Sequence, residues 1–172
     1  IDTGLARISR YNPRTRTLNL PVAPVSRSSA DQRKGRCGRV QNGVCIRLFS
    51  EEDYEGRPLY TPPEILRSNL AEVILRMLAL NIGDPSTFPF IDPPDGKSIR
   101  DGFEILKELG AIRQKGGGQG FELTERGRLM ARMPIDPRIS RMLLEAAKEN
   151  CLEEVAVIAS ALSIQDPREW PA

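Results

Sequence analysis

The chain has 172 residues, 40% hydrophobic and 5% aromatic, with a formal charge of +2, enough for one domain or two small ones with a real core. It has no histidine, which excludes a Ser-His-Asp triad and His-metal chemistry, and its three cysteines (Cys37, Cys45, Cys151) lack C-x-x-C spacing; that argues against a zinc site or a secreted disulfide framework and suits a reducing, cytoplasmic setting. No apolar run is long enough to span a bilayer, and the opening Ile1-Asp2-Thr3-Gly4, without methionine or leader, reads as a piece of something longer.

In chain order, residues 5–10 and 16–21 flank Tyr11-Asn12-Pro13-Arg14-Thr15, whose Asn-Pro pair initiates a turn, and the pattern predicts a β-hairpin. Ser28-Ser29 is the expected cap of a short basic helix running to about Gly38. Residues 44–49 (Val-Cys-Ile-Arg-Leu-Phe) read as a buried strand after the Gln41-Asn42-Gly43 turn. Strand, helix and strand in this order predict the end of an α/β sheet. Thr61, Pro62 and Glu64 then supply an N-cap, a first-turn proline and a capping-box acid. They open an expected helix with the stripe Leu66, Leu70, Val73, Ile74, Met77 and Leu78, ending near Gly83.

After a Pro-rich connector, a helix over about 98–109 buries Ile99, Phe103, Leu106 and Leu109, and a glycine-tipped hairpin follows at 111–123. Helix, helix and hairpin make a winged-helix pattern. Thr124 caps a short helix to Met133, Asp136-Pro137 opens the next to about Asn150, and a last helix covers 152–164. The expected class is mixed α/β and mainly α: an α/β tail with a hairpin, a winged helix, then the start of a helical bundle.

The charge is unevenly spread. Residues 1–50 hold ten Lys/Arg against Asp2 and Asp31, whereas the remainder holds fifteen basic residues against twenty-one acidic ones. A basic head of this kind suits an anionic partner. Its most informative stretch is Gln32-Arg33-Lys34-Gly35-Arg36-Cys37-Gly38-Arg39. On a helix, Gln32, Arg36 and Arg39 fall at i, i+4 and i+7 on one face, and Gly35 leaves room for a bulky anion. Arginine suits phosphate because its planar fork stays charged and pairs bidentately with phosphate oxygens.

This segment resembles motif VI, Q-R-x-G-R-x-G-R, of superfamily-two DEAH-box RNA helicases. The similarity extends through Y-N-P-R-T, C-I-R-L-F-S, T-P-P-E-I-L-R, F-P-F-I-D-P-P-D and M-P-I-D-P-R, over nearly the whole chain. The K-G-R-C-G-R and S-I-Q-D-P-R variants resemble the bacterial HrpA-type branch. The resemblance implies the end of a second RecA-like domain at 1–56, a winged helix at 57–123 and the start of a helical ratchet-like domain at 124–172. It implies that Gln32, Gly35, Arg36 and Arg39 meet the phosphates of ATP, bound with Mg2+, with Arg39 the arginine finger and Arg36 beside it. The hairpin at 5–20 would lie against RNA through Arg7, Arg10, Tyr11, Arg14 and Arg16 in an enzyme moving 3′ to 5′.

No G-x-x-x-x-G-K-[S/T] and no D-E-A-H occurs in these 172 residues, so the stretch alone is expected not to hydrolyse ATP. Its implied partners are RNA, ATP and the remaining domains of one polypeptide, with no membrane and with self-association through exposed strand edges. Two other readings stand beside this one. The first is a non-enzymatic winged-helix module binding nucleic acid, although Arg100, Asp101, Glu104, Lys107 and Glu108 give its recognition helix no positive surface. The second is a protein-docking scaffold built on the acidic helices.

Overall fold

The computed structural model describes residues 1–12, 15, 17–117 and 120–164, which divide into two compact units, 1–68 and 69 onward. Each combines or adjoins small antiparallel ribbons with helices, the mixed, helix-rich class expected.

In the first unit, β1 (Leu5–Arg7) pairs with β4 (Val22–Pro24), and β2 (Arg10–Asn12) pairs with β3 (Thr17–Asn19). The Ile8 N–H donates to the Pro21 carbonyl at 3.1 Å, so the two ladders form one long interrupted hairpin. Its middle is held from outside, because the Tyr11 N–H donates to the Arg67 carbonyl at 2.8 Å and the Arg67 Nη1 donates to the Ser9 carbonyl at 3.1 Å.

Helix α1 (Arg27–Arg36) follows, and it differs from expectation at both ends. The cap is Ser26, whose hydroxyl accepts from the Ser29 N–H; the Arg27 and Ser28 N–H groups are satisfied by the Pro58 and Leu59 carbonyls at 2.9 and 3.0 Å. With those outside acceptors available, Ser28 and Ser29 need not cap and lie within the helix. At the other end the helix stops at Arg36 rather than Gly38. The chain turns back so tightly that a Cβ on Gly43 would lie 2.1 Å from the Cys37 carbonyl oxygen, so this closure admits only glycine.

The expected buried strand at 44–49 is absent. Only one parallel bridge, Asp2 with Arg47, forms there, and Val44, Ile46 and Leu48 are mostly exposed. Apolar sequence alone makes a strand where it finds a ladder partner, and here only Asp2 supplies one. Helix α2 (Glu51–Gly56), capped by Ser50, ends on Arg57.

The single helix expected from Thr61 to Gly83 is instead a 3-10 turn (Glu64–Leu66) in the first unit and helix α3 (Ala71–Leu80) in the second. The Thr61 hydroxyl is taken by Ser26 and Ser29, at 3.0 and 3.4 Å, rather than by a helix N–H. The Asn69 side chain accepts from the Ala71 N–H at 2.7 Å and starts α3, and Asn81, at φ 53°, closes it in place of Gly83.

Helix α4 (Gly96–Glu108), with Asp95 as cap, crosses α3 at close range: a Cβ on Gly102 would meet Ile74 Cδ1 at 2.7 Å and α3 backbone atoms at 3.2 Å. Ile74, Leu75, Ile99, Ile105 and Leu106 fill that contact, and β5 (Ile112–Gln114) and β6 (Phe121–Leu123) complete the winged-helix arrangement. Thr124 and Asp136 cap α5 (Glu125–Ala131) and α6 (Pro137–Lys148) as expected, and α7 (Leu152–Ser163) packs on α6. No helix among the described residues is long and apolar enough to cross a membrane.

Candidate nucleotide and nucleic-acid surfaces

The basic head separates into arginines used inside the fold and arginines left to solvent. Arg33 Nη1 donates to the buried Asp2 carboxylate at 3.0 Å, and both of its terminal nitrogens reach the Leu5 carbonyl at 3.2 Å. It therefore straps α1 to the first residue of β1. Burial pushes the Asp2 carboxyl up, but the Gly4 N–H, Arg33 and Arg47 outweigh it and hold the pKa below the ordinary aspartate value. Arg47 pairs with Asp31 on α1 at 2.7 Å and stacks over the Tyr54 ring, 4.3 Å from its centre. The Tyr54 hydroxyl, then Arg47, lower the Asp31 pKa.

Arg57 is buried. Its Nη1 donates to the Gly4 carbonyl at 2.9 Å and to that of Val25 at 3.4 Å, its Nη2 pairs with Asp53 at 2.7 Å, and its guanidinium lies 4.0 Å over Phe49. The Arg57 guanidinium in turn lowers the Asp53 pKa.

What remains exposed coincides with the residues singled out from sequence. Gln32, Gly35 and Arg36 are exposed on α1, and Gln32 and Arg36 share a face at i and i+4. Arg39 does not continue that face, since the helix has ended three residues before it; it is exposed in the turn that Gly43 closes. Apart from its chain neighbours and the helix's own backbone, no described atom lies within 4 Å of a Cβ built on Gly35, so this side of the helix is open. On the hairpin, Arg7 and Arg10 are exposed and Tyr11 is half-buried. Arg14 and Arg16 lie outside the described residues.

Sequence reasoning did not single out Asp2, Arg33, Arg47 and Arg57 as structural. The i, i+4 spacing of Asp53 and Arg57 was the one local signal; the longer-range partners lie 16 to 53 positions away, such as Asp31 for Arg47, Asp2 for Arg33 and Gly4 for Arg57. It also did not find a cleft of about 400 Å3 at the root of the hairpin, between Tyr11 and the 58–67 segment. A larger groove of about 730 Å3 lies in the second unit and carries both signs of charge, Asp84 and Glu104 with Arg100 and Lys107.

The second unit defines the class of protein. Residues 103–135 match the winged-helix part of the helicase-associated domain (HA2), and 136–171 match its ratchet-like part. Over 99% of its length the chain is 56% identical to the ATP-dependent RNA helicase HrpA of Escherichia coli, and over 97% it is 38% identical to human DHX34, a probable ATP-dependent RNA helicase. The crystal structure of the Escherichia coli DEAH/RHA helicase HrpB superposes with a TM-score of 0.82 at 31% identity, covering 98% of this chain and 21% of that one. The chain thus carries the winged-helix and ratchet-like parts of the helicase-associated domain and matches, over nearly all of its length, a stretch of the HrpA-type DEAH-box helicases. It spans 13% and 14% of the length of the two curated relatives.

Proposed function

We propose that this stretch serves, within a longer polypeptide, as the part of an ATP-dependent, 3′-to-5′ RNA helicase that meets ATP phosphate through α1 and the turn after it, and RNA through the hairpin. The observation that carries the reading is the outward set Gln32, Arg36 and Arg39. All three are exposed, and neither arginine forms an ion pair among the described residues, while neighbouring Arg33 and Arg47 are consumed internally. An amide and two guanidiniums beside the open Gly35 are donors suited to phosphate oxygens.

When bound, ATP with Mg2+ supplies the transferable phosphoryl group. Arg39, with Arg36 beside it, contributes positive charge where that group's oxygens accumulate negative charge, the role of an arginine finger. Gln32 and Gly35 orient and admit the phosphate. These donors offer Mg2+ no carboxylate, so its ligands are assigned to the rest of the parent protein.

Arg7, Arg10 and Tyr11, with Arg14 and Arg16 from sequence alone, face RNA phosphates and bases. In this reading residues 1–56 end a second RecA-like domain, 57–123 form the winged helix and 124–172 begin the ratchet-like domain. The winged helix is assigned a structural role rather than DNA reading, because α4 pairs charge within itself, Lys107 with Glu104 at 2.8 Å. Exposed Val44, Ile46 and Leu48 are the face that the remainder of the polypeptide covers in the cytoplasmic enzyme.

The test is Arg39→Ala in the full-length parent. RNA-stimulated ATP turnover is expected to fall by about 10³-fold or more, the usual worth of an arginine finger, with circular dichroism unchanged. Turnover close to wild type overturns the assignment.

A further inference from the structure

We propose that the cleft at the hairpin root is a binding site for one nucleotide of single-stranded RNA, with Tyr60 as the ring on which the base stacks. The site rests on the reading of the hairpin as an RNA-facing element and adds residues outside the hairpin to it. The cleft, about 400 Å3, is lined by Arg10, Tyr11, Ser26, Tyr60, Pro62 and Arg67 among others, and no carboxylate takes part. Pockets that hold small ligands begin at roughly 300 Å3, so a single nucleotide fits and a folded partner does not.

Three features select a nucleotide. Tyr60 is 70% exposed, an unusual placement for a large ring, and an accessible aromatic face is the platform on which unpaired bases stack. Arg10 and Arg67 supply charge without a neutralising acid in the lining. Arg67 is held in place, its Nε donating to the Pro62 carbonyl at 3.2 Å and its Nη1 to the Ser9 carbonyl at 3.1 Å, so little entropy is lost when an anion meets it. Ser26 and Thr61 close one end of the cleft, Ser26 buried and the two hydroxyls already bonded to each other at 3.0 Å and to Ser29, so the exposed ring and the two arginines carry the recognition.

A proline-rich peptide would also accept the rings and the prolines at 24, 58 and 62, but it makes no use of two arginines set in an acid-free wall. The larger groove of the second unit, with acids and bases mixed, lacks this polarity.

The experiment titrates the 172-residue chain into a short fluorescein-labelled, adenosine-rich single-stranded RNA and follows anisotropy at several salt concentrations. Tyr60→Ala is expected to weaken binding about tenfold and Tyr60→Phe to stay within about twofold, as for loss and retention of one stacked base. Because a ring carries no charge, Tyr60→Ala leaves the salt slope as in wild type, whereas Arg10→Ala makes it shallower. Ultraviolet crosslinking of the RNA to the peptide bearing Tyr60 supports the same contact.

Arg7→Ala, on the hairpin but outside the cleft lining, separates the two readings. Loss of binding with Arg7→Ala but not with Tyr60→Ala overturns the cleft and keeps the hairpin. Loss with Tyr60→Ala alone keeps the cleft and overturns the hairpin contacts. Displacement of the crosslink by a proline-rich peptide, with RNA affinity unchanged by Tyr60→Ala, assigns the cleft to a protein partner and overturns the proposal.

Discussion

Replacing Arg57 should unfold the first unit more readily than any single apolar truncation there, because this unit is closed by a buried cation rather than by a large oily core. Among its described residues the buried apolar ones are Val25 and Ala30, while Asp2, Ser26 and Arg57 are buried as well. Arg57→Ala removes a charged hydrogen bond to the Gly4 carbonyl at 2.9 Å, worth about 1.5–3 kcal/mol. It also removes a desolvated cation–π contact at 4.0 Å over Phe49, worth about 2 kcal/mol.

The Gly4 carbonyl keeps its bond from the Val25 N–H at 2.9 Å, so it is not orphaned, and half-exposed Asp53 returns to water. The total is about 3–5 kcal/mol, a large fraction of the 5–15 kcal/mol that holds a typical domain. The assay is urea unfolding of the 172-residue chain followed by far-ultraviolet circular dichroism, where the first unit's transition moves to lower denaturant. Arg57→Lys keeps the charge but cannot reach Gly4, Asp53 and the Phe49 face together, so it should recover little. A shift below about 1 kcal/mol for Arg57→Ala, or a Lys variant equal to wild type, would refute the reasoning.

Three further outcomes follow from the same contacts. Asp2 titrates below its ordinary value in the folded chain, so the unfolded state binds more protons; the stability it gives is present above about pH 4 and is lost as pH falls through the depressed value. Asp2→Asn should therefore flatten the acid limb of a urea-midpoint profile, and an unchanged slope would contradict the strap. Gly102→Ala should cost about 1–3 kcal/mol by overpacking α4 against Ile74 and the α3 backbone, read as a lower melting temperature of the second unit. Residues 1–68 expressed alone should self-associate in sedimentation velocity through Val44, Ile46, Leu48 and unpaired strand edges; a monomer at all concentrations would exclude this.

Local chemistry was legible wherever it decided the outcome. Thr124 and Asp136 cap the helices they were expected to cap, because a side-chain oxygen two or three residues ahead of an orphan N–H is a complete local signal. The hairpin and the wing were readable from their flanking segments, which pair as antiparallel ladders, while Pro13 and Arg14 of the Asn-Pro turn and part of the glycine tip lie outside the described residues. Thr61-Pro62-Pro63-Glu64 misled because its hydroxyl found Ser26 and Ser29, over thirty positions away, and the helix waited for Asn69. Residues 44–49 misled because alternation and β-branching describe what a strand would bury, not whether a neighbouring strand is there. At the candidate site the outward residues were legible from the motif. The end of α1 at Arg36 was not, because Gly43 sets it from beyond the helix.

The Arg33 strap joins α1 to the hairpin. A single guanidinium grips the Asp2 carboxylate and the Leu5 carbonyl, three residues before Arg36 on one side and two before Arg7 on the other. The helix that carries Arg36 and the strand that carries Arg7 are thus fastened to each other by one side chain, and the two basic surfaces share that single fixed point.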